Sequence, residues 1–294
     1  MALEIKKFAA IDIGSNAMRL LVSNVIRDKD SVDYKKVALI RLPIRLGQEA
    51  FTQKRFSKET INRFVDGMMA YSYLMKAHQI ESYRACATSA MREAENGSEV
   101  AQYIEKIAGI KIDIIQGEEE AKIIHSAHFK DKLDPAKNFI YIDVGGGSTE
   151  ITLFSQGKVI DSESFNIGTI RLLNNMVSDD EWNKLKKWIK HTAFEIDNLE
   201  TIGSGGNINK IYKLSKVSYP KPLKYGELVQ IHNLISEMSI DDRIKSLKLN
   251  PDRADVIIPA STIFVNAMKW AKAKTIHVPK IGLADGLIMD LAKQ

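Results

Sequence analysis

Two aspartates stand just before turns nearly free of side chains in this chain of 294 residues. In YIDVGGGSTEITLF, Asp143 lies inside an apolar run. Gly145, Gly146 and Gly147 follow, then Ser148 and Thr149, and a second acid, Glu150, opens the next apolar run. In FAAIDIGSNAMRLLV, Asp12 precedes Gly14, Ser15 and Asn16. A bare turn exposes backbone N–H groups, and such a concave nest takes phosphate oxygens. Glycine also tolerates the positive φ of a tight hairpin. A carboxylate beside a phosphate repels it unless a cation lies between them. Mg²⁺ accepts carboxylates together with phosphate oxygens and water. Asp143, Glu150 and Asp12 are therefore candidate ligands of Mg²⁺ or a similar divalent cation. The alternative for each is hydrogen bonding to the N–H groups of its own turn.

These turns need strands to hold them. The second Asp repeats the first after 131 residues, from 12 to 143, inside the same pattern of apolar run, Asp, apolar residue, Gly and apolar run. A repeat of that length marks two similar domains, each opening with a hairpin, and exceeds any solenoid period. The chain length fits two domains of ~150 residues. The segment SVDYKKVALIRLPIRLG reads as strand ending at Gly47. Ser57 caps a helix to about Ala77, with Ile61, Phe64, Val65, Met68 and Met69 at helical spacing. YRACATSAM is a strand running into a turn, Ser98 caps a further helix that stops at Gly109, IKIDIIQ is a strand, and GEEEAKIIHSAHF starts a helix. Asp134-Pro135 marks a loop. TIGSGGNINKI gives a strand, a Gly-rich turn containing Gly205, and a helix. IGLADGLIMDLA leads into a last helix. Alternating strands and helices indicate an α/β fold.

Composition bounds the function. Hydrophobic residues make up 45% and charged residues 27%, as in ordinary globular chains. No apolar run reaches the ~18 residues of a membrane span, and the N-terminal segment lacks the three regions of a signal peptide, so a cytoplasmic protein is expected. The single cysteine, Cys86, excludes an intrachain disulfide framework and reads as a buried small residue. The net charge of +5 is compatible with a polyanionic ligand. Lys210, Lys213, Lys216, Lys221 and Lys224 gather without an acid among them, either as a solvated face or as a track for phosphates. The chain has no GxxxxGK[ST], no Rossmann turn, no GxSxG elbow and no HExxH. His125 and His128 share a helix face without a clear third ligand and read as surface residues.

Together, AAIDIGSNAMRLLV, ATSAMREA, IIQGEEEAKII, YIDVGGGSTEITLF, TIGSGGNINKI and RADVIIPA resemble, in order and over about residues 8–290, the exopolyphosphatase / guanosine pentaphosphate phosphohydrolase family. The resemblance implies two ribonuclease-H-like domains of the actin–hexokinase–Hsp70 superfamily with an interdomain cleft. The expected boundaries are 1–118 and 119–282, with a final helix, about 283–294, that can pack back on the first domain. It implies that Glu120, the residue before Ala in GEEEA, activates water; Glu118 and Glu119 flank it and leave the assignment open by one. It matches Arg92 to a phosphate clamp, with Thr88 and Ser89 in the same turn, and Asp143 and Glu150 to magnesium-associated acids. Gly205 joins the phosphate-binding set, and Arg45 and Arg253 resemble family positions. The chain departs from the family at Ala284, within GLADG, where many members carry arginine, and at Asn207 and Asn209.

The expected activity is a metal-dependent exopolyphosphatase that releases terminal phosphate by water attack. Hydrolysis of guanosine pentaphosphate through the same site is the close alternative. A sugar or carboxylate kinase and a non-catalytic polyphosphate or nucleotide sensor are the readings from other classes. Neither nucleic acid nor membrane is expected as a partner, and the resemblance allows a homodimer.

Overall fold

Hydrophobic runs bounded by turns build both sheets. A computed structural model describes residues 4–28, 31–128, 134 and 136–293, with side chains described outside 125–128. Pro135 and the side chains of His125 and His128 lie outside the described residues. The chain divides into two units, one of residues 1–127 with 281–294 and one of residues 128–280. The division falls at Ala127/His128, later than the 118/119 boundary expected from the sequence.

In the first unit, β1 (Glu4–Ile13), β2 (Met18–Asp28) and β3 (Ser31–Leu42) form an antiparallel meander. Strand β1 is buried continuously from Phe8 to Ile13, as a central strand covered on both faces must be. The strand reading of the following segment holds only to Leu42, not to Gly47. Pro43 cannot donate to the ladder, Arg45 turns the backbone left-handed at φ 61, and α1 (Leu46–Thr52) takes Gly47 into its first turn. Ser57 caps α2 (Lys58–Ala77), its side chain accepting from the Thr60 N–H at 3.2 Å. The face of α2 carrying Phe64, Gly67, Met68 and Tyr71 is buried, and the Tyr71 hydroxyl donates to the carbonyls of Met18 at 3.1 Å and Ile40 at 3.0 Å.

Strand β4 (Ser82–Ala87) then pairs parallel to β1, α3 (Ser89–Glu93) follows it, and α4 (Gly97–Ala108) ends at Gly109 in the left-handed conformation. Helix α4 starts before Ser98: its cap position is Asn96, whose side chain instead bonds the backbone N–H and carbonyl of Phe56. The expected strand at IKIDIIQ is reduced to β5 (Asp113–Ile114), parallel to β4, and α5 (Gly117–His128) follows. The sheet order is β3-β2-β1-β4-β5.

The second unit repeats this plan. β6 (Phe139–Val144), β7 (Thr149–Ser155) and β8 (Lys158–Phe165) form the meander, followed by α6 (Thr169–Leu173) and α7 (Asp179–Thr192). Strand β9 (Glu200–Ser204) pairs parallel to β6, and α8 (Gly206–Leu214) follows it. β10 (Leu223–Lys224), α9 (Tyr225–Glu237), α10 (Ile240–Lys245), α11 (Pro251–Ala254), α12 (Ile257–Trp270) and β11 (Thr275–His277) complete the unit. Its sheet order, β8-β7-β6-β9-β11-β10, is that of the first unit with an antiparallel edge strand added. Each unit is thus an α/β layer built on the same five-strand order, in line with the two similar α/β domains expected from the sequence. The apolar faces of α7, α8, α9 and α12 close the second core through Leu185, Ile189, Ile208, Ile211, Leu228 and Phe264.

The last helix, α13 (Leu283–Leu291), packs on β1, β2 and β4 of the first unit. Gly286 permits this, because a Cβ there would collide with the Ile123 carbonyl of α5. No helix among the described residues is long and apolar enough to cross a membrane.

Candidate functional site

In both units the candidate residues lie at the C-terminal ends of parallel strands, where open α/β sheets place their sites. In the second unit β6 delivers Asp143, the turn runs from Gly145 to Ser148, and β7 begins at Thr149. The Gly145 N–H closes the hairpin on the Ser148 carbonyl at 2.9 Å. The carbonyls of the turn point at α6: Gly145 accepts from the Thr169 N–H at 3.0 Å, Gly146 from the Ile170 N–H at 2.8 Å, and Gly147 from Arg171 Nε at 2.7 Å. Thr149 adds a bond from its hydroxyl to the Ile167 carbonyl. A planar trans peptide sets its N–H opposite its C=O. Fixing three successive carbonyls on α6 therefore aims the N–H groups of Gly146, Gly147 and Ser148 away from it, as a row of donors. Helix α6 comes this close because residue 168 is glycine; any Cβ there would overlap the backbone of Gly146 and Gly147.

The first unit builds the same device from different residues. The Gly14 N–H bonds the Ala17 carbonyl at 3.2 Å. The Ser15 carbonyl accepts from the Gly47 N–H at 2.8 Å and the Asn16 carbonyl from the Arg45 N–H at 3.2 Å, so the start of α1 holds this turn as α6 holds the other. The same peptide geometry turns the N–H groups of Asn16 and Ala17 away from α1. Ser15 and Ser89 share a buried hydroxyl–hydroxyl bond of 2.9 Å, and the Thr88 N–H bonds the Ile13 carbonyl at 3.2 Å, so the two turns of this unit are tied together.

The acids differ between the copies. Asp12 stands opposite Arg19 in the hairpin register, and Arg19 Nη1 lies 2.6 Å from Asp12 Oδ2 in an ion pair whose acid is largely buried. Asp143 stands opposite Glu150. Directly opposed residues of an antiparallel pair have Cβ atoms about 4.5–5.5 Å apart, so two carboxylates are held together where the first copy holds a salt bridge. Glu150 is buried, and one of its oxygens, Oε1, accepts from Ser148 Oγ at 2.6 Å and from Ser164 Oγ at 3.0 Å. Gly205 reaches this corner with φ 107, its Cβ position 3.4 Å from Asp143 Oδ1, and starts α8 there. Arg19, Arg171 and Ser164 are absent from the sequence reasoning. Arg19 had a readable signal, since it follows Asp12 by the same seven residues that separate Glu150 from Asp143.

Around α5, Arg92 Nη1 donates to the Ile115 carbonyl at 2.7 Å, and the Ile115 N–H bonds the Ala87 carbonyl at 3.0 Å. Arg92 is thus hydrogen-bonded to the segment that leads into the acidic first turn of α5. Within that turn Glu119 is bonded by Arg84 Nη2 at 2.9 Å and is exposed, as is Glu118, whereas Glu120 is half-buried. Arg84 also reaches Asp113 at 3.4 Å. Burial pushes the Cys86 thiol up to about 12, so it stays protonated at neutral pH. In the lysine-rich stretch, Lys210 donates to the carbonyls of Leu247 at 3.0 Å and Lys248 at 3.5 Å. Burial lowers its pKa, and the neighbouring cations Lys213 and Arg253 add to the effect. Ala284 is buried inside α13, and Asp285 caps that helix by accepting from the Gly282 N–H at 3.0 Å.

Known proteins are similar to this chain in sequence and in fold. The profile of the Ppx/GppA phosphatase family matches residues 25–294. A protein of Mycobacterium tuberculosis named exopolyphosphatase 2 is 30% identical, over 97% of this chain and 98% of its own length. A bifunctional 3-dehydroquinate synthase/phosphatase of Fusobacterium nucleatum is 30% identical over 89% of this chain, which spans only 43% of that longer protein. The crystal structure of an exopolyphosphatase from Cytophaga hutchinsonii superposes with a TM-score of 0.84 at 18% identity, covering 98% of both chains, a likeness of fold. With the sequence match running over nearly the whole length, the chain belongs to the Ppx/GppA phosphatase family.

Proposed function

We infer that this protein hydrolyses the terminal phosphoanhydride bond of inorganic polyphosphate. The observation that carries the reading is the row of N–H groups at Gly146, Gly147 and Ser148, beside the paired acids Asp143 and Glu150. In the second unit the nest at Gly145–Thr149, with the amide end of α8 at Gly205, binds phosphate oxygens; in the first unit the nest at Gly14–Asn16, with Thr88 and Ser89, does the same. Arg92 binds phosphate through the part of its guanidinium fork that the Ile115 carbonyl leaves over, and its bond to Ile115 fixes its direction. Glu120 accepts the proton of the attacking water. Two features support Glu120 over its neighbours: Glu119 is paired with Arg84, and Glu118 is exposed. Family membership supports the reaction class, since phosphoryl transfer rests on positioning and charge stabilisation.

The oxygen donors of Asp143 and Glu150 suit a hard divalent cation such as Mg²⁺, which is commonly bound by one or two carboxylates plus substrate phosphates and water. Two carboxylates alone leave coordination positions for phosphate oxygens and water, so the cation is shared with the substrate. Its chemistry would be to neutralise charge on the phosphates. The hydroxyls of Ser148 and Ser164 orient the Glu150 carboxylate toward that task. Asp12, already paired with Arg19, fits the ligand role poorly and instead stiffens its hairpin.

The test is phosphate release from long-chain polyphosphate, guanosine pentaphosphate and ATP, each with Mg²⁺ and with EDTA. Release from polyphosphate alone supports the reading. Release from guanosine pentaphosphate alone moves the substrate to the alternative. No release from any of them, with Glu120→Gln indistinguishable from wild type, refutes the enzyme assignment.

A further inference from the structure

A cavity of about 540 Å³ opens in the second unit where β10, the start of α9, the end of α12 and the start of β11 meet. It is distinct from the Asp143 corner. Ile276 of β11 pairs with Thr201 at the beginning of β9, whereas Gly205 follows the far end of that strand. Four residues of strand separate the two ends, about 13 Å at 3.3 Å per residue.

Lys224, Lys269, Lys272 and Lys274 line the cavity, and all four are exposed. Among the described residues none of them forms an ion pair. The acid closest in sequence, Glu227, turns its carboxylate back to the Lys224 N–H at 2.9 Å. Between the lysines the lining is mainly apolar, with half-buried Tyr225 and buried Met268. Gly226, in the first turn of the 13-residue helix α9, has no heavy atom within 4 Å of its Cβ position, so the cavity is open on that side. Small-molecule sites are typically concave, ~300–1,000 Å³ in volume and mainly apolar with a few convergent polar groups.

We propose that this cavity binds a nucleoside phosphate, its base on the half-buried Tyr225 and its phosphates among the four lysines. A bare inorganic oligophosphate would use the charges and leave the apolar lining unpaired. The inference does not rest on the hydrolytic reading, because it concerns a different end of the sheet.

Lysine footprinting tests it. The full chain is acetylated in EDTA, which removes divalent cations, with ADP, with tripolyphosphate or with no ligand, and each lysine is read by mass spectrometry. ADP is expected to slow modification of Lys224, Lys269, Lys272 and Lys274 by about threefold or more at saturation, with tripolyphosphate clearly weaker. The variant K269E/K272E is expected to weaken ADP binding by about tenfold, or 1.4 kcal/mol. Absent protection, or equal protection by tripolyphosphate, overturns the proposal. Tyr225→Ala with unchanged ADP affinity overturns the stacking of the base.

Discussion

Gly168→Ala is the most direct test of the turn geometry, because the substitution changes no functional group. Residue 168 has an extended backbone, φ −133 and ψ 164, that alanine adopts without strain. The penalty is steric: the new methyl would occupy the space of the Gly146 carbonyl and the Gly147 backbone. Backbone cannot rotate aside as a side chain does, so α6 must retreat. Overpacking of this kind costs about 1–3 kcal/mol. Retreat also stretches the 3.0 and 2.8 Å bonds from Thr169 and Ile170, each worth about 0.5–1.5 kcal/mol. The sum is roughly 2–6 kcal/mol, a fall in melting temperature of about 4 °C or more for a unit of this size. Catalysis should suffer separately, since freed carbonyls let the N–H row rotate; KM for polyphosphate is expected to rise about tenfold, or 1.4 kcal/mol. Gly226→Ala is the control, with open space around its Cβ position and an expected change within about 1 kcal/mol. Thermal unfolding and steady-state phosphate release read both quantities. A Gly168→Ala protein that melts with wild type and keeps its KM refutes the argument that α6 sets the turn.

Arg92→Ala removes a charge-assisted bond worth about 1.5–3 kcal/mol and should lower kcat/KM about 10–100-fold in the phosphate-release assay; unchanged kinetics would count against the clamp. Glu120→Gln should abolish release with little change in melting. Glu119→Gln, which loses an exposed ion pair with Arg84, should cost no more than about 1 kcal/mol and keep activity. Glu200 supplies a pH test. Burial alone would raise its carboxyl, but hydrogen bonds from Lys137 at 2.8 Å and from His277 hold it below its ordinary value. Its stabilising contribution is therefore present above the unfolded pKa of about 4.3 and is lost as pH falls through the lower folded value. Glu200→Gln should flatten that acid limb in urea titrations, and an unaltered limb would exclude the triad as its source.

The hairpins were legible because each is written locally: an apolar run, an acid, a glycine-rich turn and a second run. The Ser57 cap and the Gly109 stop were legible for the same reason. The buttresses were not. Gly47 bonds the Ser15 carbonyl and Ile170 the Gly146 carbonyl through backbone alone, and no side-chain pattern announces a bond between main chains some 30 residues apart. Arg171 looked like any helix arginine until its Nε met Gly147. The end of β3 was misread because VALIRLPIRLG stays apolar past Pro43, and hydrophobicity carries no record of the left-handed turn at Arg45. Ser98 attracted the cap assignment by residue type, while Asn96 held the position and used its amide on Phe56. Glu120 was singled out by resemblance; the Arg84–Glu119 bond supplies a physical reason to separate it from its neighbour.

The return of α13 to the first sheet has a consequence for synthesis. The strands it covers, β1, β2 and β4, leave the ribosome early, yet their partner ends at residue 291. At ~5–20 residues per second, the chain from residue 127 to residue 291 takes about 8–33 s to make. Through that interval, while residues 128–280 are being made, the apolar surface that Leu283, Leu287 and Ile288 will bury has no cover from its own helix. The earlier-made of the two units is thus the later to be finished, and until α13 arrives its strands offer apolar surface that a chaperone can hold.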